Sequence, residues 1–401
     1  MVNLTNMNCL LKPLVLIFLL LQSCTEEPWL SGTLNMSDGD EWKPMVYVVH
    51  PQKFNELAQS FVGIVLDSAE VDSNGYFEFK ESPDYKEPVL LEIVVQKIGE
   101  KYPNRLINEN HVTDNYFPLI YTENANLEVK AAIASFQSSL TIANPSPANE
   151  AVLRLRDERL TVFDKYLKEV VKGQQADEDL LEREKSLHLY QEKLVYFADS
   201  TSHLLPALMA LRWVSPEGDY ERIAEPVYQQ SKKWNELYPE HPWVKEFVSV
   251  ANKQNLPVLI GDTIPNLKFP MKSGVEISLK EIIEGQKLVL LDVWASWCAP
   301  CRVENRNVLV PLWEKYNPEN FQIVAYGLES SEKAWHNAIE KDGAYRWLHA
   351  SHLEGDQNPL MEDLRLKTIP ANFIIDSEGK VLAKNLLGKD LTDFVDGYMS
   401  K

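Results

Sequence analysis

The sequence predicts a multi-domain protein in three parts: an N-terminal antiparallel β-sandwich, a helical middle region and a C-terminal α/β domain. Three observations predict it. Apolar, β-branched runs broken by turn residues fill the stretch from 30 to about 145. Apolar residues then recur at helical spacing to about 254, and from Leu256 strands alternate with helices. With 401 residues and 45% hydrophobic content, there is material for two or three packed cores. The 59 acidic residues outnumber the 40 basic ones for a net charge of −19, which opposes nucleic-acid binding.

Ahead of these parts, Lys12 precedes the apolar run Leu14 to Leu21. That run is shorter than the ~20 residues a bilayer-spanning helix needs, so it reads as a leader. It ends in Leu21-Gln22-Ser23-Cys24, which resembles a bacterial lipobox. The resemblance implies a signal peptide over 1–23, with Cys24 lipidated as the first mature residue and anchoring the chain to a membrane. Gln22 departs from the favoured residue, and ordinary secretory cleavage nearby is the alternative. Either route exports the chain to an oxidising compartment. Thr25-Glu26-Glu27 resembles a surface-export signal of some Bacteroidota lipoproteins, but it reads equally as a solvated tether, so no leaflet follows from it.

In the β-rich part, 24–145 with the mature start included, Met45 to Val49 and Pro88 to Val95 are continuous apolar runs. Leu127, Val129 and Ala131 alternate with Asn126, Glu128 and Lys130, the period of a half-buried strand. Asn74-Gly75, between Val71 and Phe77-Glu78-Phe79, predicts a type I′ hairpin, whose two central residues need positive φ. Asp67-Ser68-Ala69 followed by Gly75-Tyr76-Phe77 resembles the β-rich domain that often precedes thioredoxin domains in Bacteroidota lipoproteins.

Asn144-Pro145-Ser146-Pro147 ends the strand pattern and opens a helical spacer over 146–255. Leu153, Leu160, Phe163, Leu167 and Val170 predict the buried stripe of its first helix. Further amphipathic stretches follow Asp177, Ser202 and Ser215-Pro216, and no repeat period is evident. His188 and His203 sit among helical apolar residues and read as packed or solvated rather than as ligands.

In the last part, 256–401, strands are expected near 287–295, 321–328, 371–375 and 380–384, and helices near 298–316, 331–342, 358–365 and 389–399. Asp376-Ser377-Glu378-Gly379 should turn the last two strands into a hairpin. At the end of the apolar run Leu288 to Val293, Cys298 and Cys301 bracket Ala299-Pro300 where a helix begins. Helix N-termini present unpaired N–H groups and partial positive charge, which stabilise a thiolate. Pro300 suits that first turn because it has no N–H to orphan.

With Cys9 in the leader and Cys24 at its cleavage site, Cys298 and Cys301 are the only free thiols expected in the mature chain. A bridge closing so short a loop adds little stability, so redox cycling is the reading, with Cys298 the outward nucleophile. Zinc would need about four ligands, and no second Cys pair or close Cys-His spacing supplies them. No cofactor is called for.

Residues 257–401 resemble the TlpA/ResA-like branch of thioredoxin-fold proteins, membrane-tethered thiol-disulfide oxidoreductases of the bacterial envelope. Gly261-Asp262-Thr263-Ile264-Pro265, WASWCAPC and Thr368-Ile369-Pro370 carry the resemblance. It implies a thioredoxin fold for this part. It also implies that Pro370 follows a cis bond and that Ile369 offers its backbone to a substrate strand. Asp292 stands where thioredoxins bury a proton acceptor for the inner cysteine, although many TlpA-like proteins have no acid there, and a solvated strand-end carboxylate is the bland alternative. Glu304, one turn after Cys301, stands where ResA-like proteins carry a glutamate linked to activity, and an exposed first-turn acid is the competing reading. Trp294 is expected in the core and Trp297 on the rim where a partner docks. Thioredoxins kink this helix with a proline five residues after the second cysteine. Here Arg306 occupies that place and Pro311 is the nearest proline, so the kink is displaced or the helix runs straighter.

The sequence therefore points to a lipid-anchored, periplasm-facing envelope oxidoreductase that exchanges disulfides with protein thiols, more as a reductant than an oxidant, and is recharged by an upstream thiol donor. A peroxiredoxin is disfavoured, because Ala295 and Leu291 replace the threonine and proline expected three and seven residues before its cysteine. A binding or scaffolding lipoprotein with an accessory redox domain is the alternative from another class.

Overall fold

The computed structural model describes residues 27–37, 39–59, 64–103, 114–168 and 180–401. The leader, Cys24, Val170, Gly173 and Asp177 lie outside the described residues. Among those described, no helix is long and apolar enough to cross a membrane.

Among the described residues, the N-terminal part holds eight strands, β1 Leu30–Asn35, β2 Trp42–His50, β3 Ile64–Glu70, β4 Tyr76–Phe79, β5 Val89–Lys97, β6 Tyr116–Tyr121, β7 Leu127–Ala132 and β8 Thr141–Ala143. They form two four-stranded sheets, β3-β2-β5-β6 and β4-β1-β7-β8. The first is antiparallel throughout, whereas β1 and β7 pair in parallel in the second. These two strands lie far apart in the chain, so no hairpin imposes the antiparallel direction on them.

The Asn74-Gly75 turn also departs from expectation. Only Gly75 has positive φ, and the turn is built by Asp72, whose Oδ1 accepts from the N–H groups of Asn74 at 2.8 Å and Tyr76 at 2.9 Å. It joins β3 to β4, which belong to different sheets, so it is a crossing between layers rather than a hairpin. Glycine is required there because a Cβ would stand 2.4 Å from the Leu34 carbonyl oxygen.

Among the described residues, five helices follow: α1 Pro147–Tyr166, α2 Leu180–Ser200, α3 Leu204–Val214, α4 Ala224–Leu237 and α5 Pro242–Val250. Ser146 caps α1 by accepting from Asn149 N–H, with Pro147 in the first turn. The buried face of α1 is Ala151, Val152, Leu155 and Val162, turned away from the predicted Leu153–Leu160–Phe163 stripe, which is half-buried. The reason is that Arg156 and Arg159 point inward. Arg159 pairs with Asp114 at 3.0 Å and donates to Gln137 at 2.7 Å, while Arg156 donates to the carbonyls of Gln137 and Leu140. α3 is buried on every side, not amphipathic, and one continuous apolar core from Trp29 to Leu259 joins the sheets to the helices. His188 lies beside Glu192 at 3.3 Å, and His203 occupies the N-cap position of α3.

The C-terminal part has a separate core. Its central sheet has the order β13-β12-β11-β14-β15, with β11 Leu288–Trp294, β12 Phe321–Gly327, β13 Leu348–Ala350, β14 Ala371–Asp376 and β15 Val381–Lys384. β11 pairs in parallel with β12 and antiparallel with β14, and all seven of its residues are buried. This is why it reads as an apolar run broken only by Asp292. A small hairpin, β9 Lys268–Pro270 and β10 Glu276–Ser278, and the three-residue edge strand β13 were not expected from sequence. The β14–β15 turn forms as expected, with Asp376 Oδ1 accepting from Glu378 and Lys380 N–H groups at 2.9 Å each.

Candidate active site

Cys298 and Cys301 sit where β11 gives way to the helix α6 Ala299–Glu304. Cys298 is the N-cap residue, and its Sγ accepts from the Cys301 N–H at 3.3 Å, an orphan donor of that first turn. Pro300 stands in the same turn and needs no partner for a missing N–H. The two cysteines are joined as a disulfide with Cα atoms 5.3 Å apart. Cys298 is 5% exposed and Cys301 2%, so both residues of the disulfide are buried. Negative charge developing on Cys298 would meet the helix dipole and a ready N–H donor, the environment that lowers a thiol pKa.

The helix does not run straight on from there. It passes through a π-turn at Asn305–Leu309 and resumes as α7 Val310–Tyr316. Pro311 lies in the first turn of that second segment, where its missing donor is tolerated, so the irregularity includes Arg306 itself and ends just ahead of Pro311.

The side chains expected near the sulfurs fall in distinct places. Asp292 lies in β11 opposite Ala325 of β12 and Asn372 of β14, and is 5% exposed. Burial, with the nearby Glu304 charge adding to it, pushes its carboxyl up to about 8. Glu304 is 4% exposed and is no surface acid. Burial raises it to about 7, although its Oε1 accepts from the Gly388 N–H at 2.8 Å, which works the other way. Both carboxyls thus take and release protons within reach of neutral pH.

Trp294 is fully buried and meets His349 edge-on with ring centroids 6.0 Å apart, whereas Trp297 is 64% exposed beside the disulfide. The Ile369–Pro370 peptide is cis. Among the described residues, no group of three or more His, Cys, Asp or Glu converges as a metal site.

Sequence reasoning missed the residues that hold this turn in place. Glu329, just past β12, accepts from both the backbone N–H and the hydroxyl of Ser296, the latter at 2.8 Å. Arg302 donates to the Ser296 carbonyl at 3.2 Å and makes a two-point pair with the buried Asp342, which also binds Arg306 at 2.8 Å. Thus Arg306 is tied at one end to a buried carboxylate rather than left loose on the surface. The parallel pairing that sets Trp294 opposite Gly327 was the available signal, since it carries the next residues of both strands to the same edge. The contacts of Glu221 and Arg222 with residues 367–370 join segments about 150 positions apart, and no local pattern announces them.

Comparison with known proteins bears on the same segment. Residues 285–381 match a family model described as thioredoxin-like. The thiol-disulfide oxidoreductase ResA of Bacillus cereus is 28% identical over 151 residues, covering 38% of this chain and 82% of that protein. The thioredoxin-like protein YneN of Bacillus subtilis is 27% identical over 133 residues, covering 32% and 73%. Among solved structures, the thioredoxin domain of a Bacteroides vulgatus thiol-disulfide oxidoreductase is 27% identical, with 35% of this chain and 99% of that one covered and a TM-score of 0.33. With its disulfide at the strand-to-helix turn and its likeness to ResA proteins, the C-terminal part of this chain is similar to thioredoxin-like domains of the ResA kind, and the protein is a thiol-disulfide oxidoreductase.

Proposed function

We propose that the enzyme reduces disulfides of exported proteins from a lipid anchor at Cys24, facing the periplasm, with 24–145 forming a β-sandwich and 146–255 a helical spacer ahead of the redox domain at 256–401. The observation that carries the catalytic part is the Cys298–Cys301 pair at a helix N-terminus, with Glu304 buried at the other end of that helix and Asp292 buried in the strand that leads into it, both carboxyls of raised pKa.

In the reducing direction, the Cys298 thiolate attacks one sulfur of a client disulfide, forming the Cys298–client bond and expelling a client thiolate. Cys301 loses its proton to Glu304 or Asp292 and attacks Cys298 Sγ. The mixed disulfide breaks, the second client thiolate leaves, and two electrons have passed to the client while Cys298–Cys301 closes. An upstream thiol donor reopens it by the reverse exchange. The direction rests on the ResA-like relatives, and ~30 mV, or ~1.4 kcal/mol, in either couple would be enough to alter it appreciably. Trp297 and the backbone of Ile369 beside Pro370 form the docking face, which an extended client segment can join by strand addition.

The test is Cys301→Ser, which cannot resolve the intermediate. Envelope proteins held to Cys298 by a bond that dithiothreitol releases are the expected outcome. Empty Cys298, with the wild type still turning over a model disulfide, would reassign the nucleophile.

A further inference from the structure

Two neighbours on the short 3-10 turn Glu221–Ile223 reach from the helical region and grip the loop ahead of β14. The Glu221 carboxylate accepts from the Lys367 N–H at 2.8 Å and from the Thr368 hydroxyl at 3.2 Å. Arg222 donates from Nη2 to the Pro370 carbonyl at 2.8 Å. Ile369 lies between these two holds, and among the described residues no hydrogen bond reaches its own amide or carbonyl.

The grip is itself braced. Arg222 Nε pairs with Glu184 of α2 at 2.8 Å, and Glu221 is buried. Beside it, Lys384 of β15 pairs with Glu225 of α4 at 2.8 Å and donates to the Val258 carbonyl at 3.2 Å, while Glu225 also accepts from the Ile260 N–H at 3.0 Å. Charged hydrogen bonds in so sheltered a place fix geometry well.

We propose that Glu221 and Arg222 are positioning residues for client binding: they hold residues 367–370 so that the free backbone edge of Ile369 is presented ready to pair with an extended, cysteine-bearing segment. A loop left to swing would have to be ordered each time a client arrives, and that ordering would be subtracted from the affinity. The clamp removes this cost from the binding step. It also gives the helical region a part in the reaction without placing any of its groups on the sulfurs. The inference rests on the redox reading and on Ile369 as the docking edge.

The test uses the exported chain from Cys24 onward, with two oxidised probes: a disulfide-bearing peptide long enough to lie along Ile369, and a small aromatic disulfide with no backbone to pair. For Arg222→Met the peptide KM should rise ~5-fold or more, with kcat within about twofold and the small probe little changed. Arg222→Lys should restore much of the peptide KM, because an ammonium can donate to the same carbonyl. Thr368→Val, a milder change on the opposite hold, should move KM the same way by a smaller factor. A peptide KM that stays at the wild-type value in both Arg222→Met and Thr368→Val overturns the proposal. So does an equal loss on both probes, which would mean damage to the fold or the sulfurs rather than to docking. Wild type inert toward both probes would instead sink the redox reading itself.

Discussion

Asp292 in the middle of the central sheet and Glu304 at the end of the active-site helix are buried near one another, and the charge of Glu304 opposes ionisation of Asp292. A site holding two such acids can keep one protonated while the other accepts a proton.

The pH dependence of stability follows with a definite sign. Both folded-state values lie above those of the unfolded chain, so between about pH 4 and 8 the folded protein binds more protons. Stability is fully present below the unfolded values and falls as pH rises through about 7 for Glu304 and about 8 for Asp292. The loss is on the order of a few kcal/mol. Denaturant titrations of the oxidised protein from pH 5 to 9 should show this fall, and Asp292→Asn should flatten it.

Glu304→Gln should slow resolution of the mixed disulfide by ~10²-fold at pH 7 while leaving its formation nearly unchanged, since the proton being moved belongs to Cys301. Rapid-quench trapping of the two half-reactions separates these steps. Equal slowing of both would assign Glu304 to attack by Cys298 instead.

Trp297→Ala should leave the unfolding free energy within ~0.5 kcal/mol of wild type, because the ring is largely in water. If the ring forms part of the docking face, KM for a peptide disulfide should rise severalfold. Calorimetry and steady-state kinetics on one preparation answer both points.

Arg159→Ala should destabilise the N-terminal part by ~3–5 kcal/mol, because it leaves Asp114 buried without this counter-ion. The measurement is urea unfolding followed by far-UV circular dichroism, with the disulfide-domain transition as an internal reference.

What could be read in advance was what local chemistry dictates. Leu288 to Val293 announced a strand, and Cys298-Ala299-Pro300-Cys301 announced a helix start. Two turns of like sequence show where this stops. Asp72-Ser73-Asn74-Gly75 and Asp376-Ser377-Glu378-Gly379 both close around an aspartate Oδ1 with glycine at φ +82°. Only the second joins paired strands, because pairing is decided by neighbours the turn does not know about. The inward turn of Arg156 and Arg159 was illegible for a similar reason. Their partners, Gln137, Leu140 and Asp114, lie outside the helix that carries them. Glu329 and Glu221 were hidden the same way, and both turned out to brace the reactive region.

Arg365 donates to the Leu256 carbonyl, and Lys384 ties both Val258 and Glu225, so the connection between the helices and the redox domain is stitched on either side of its crossing. The working face accordingly keeps one bearing relative to the rest of the molecule. A client must approach along that single heading, and any swivel needed to meet it has to come from the client.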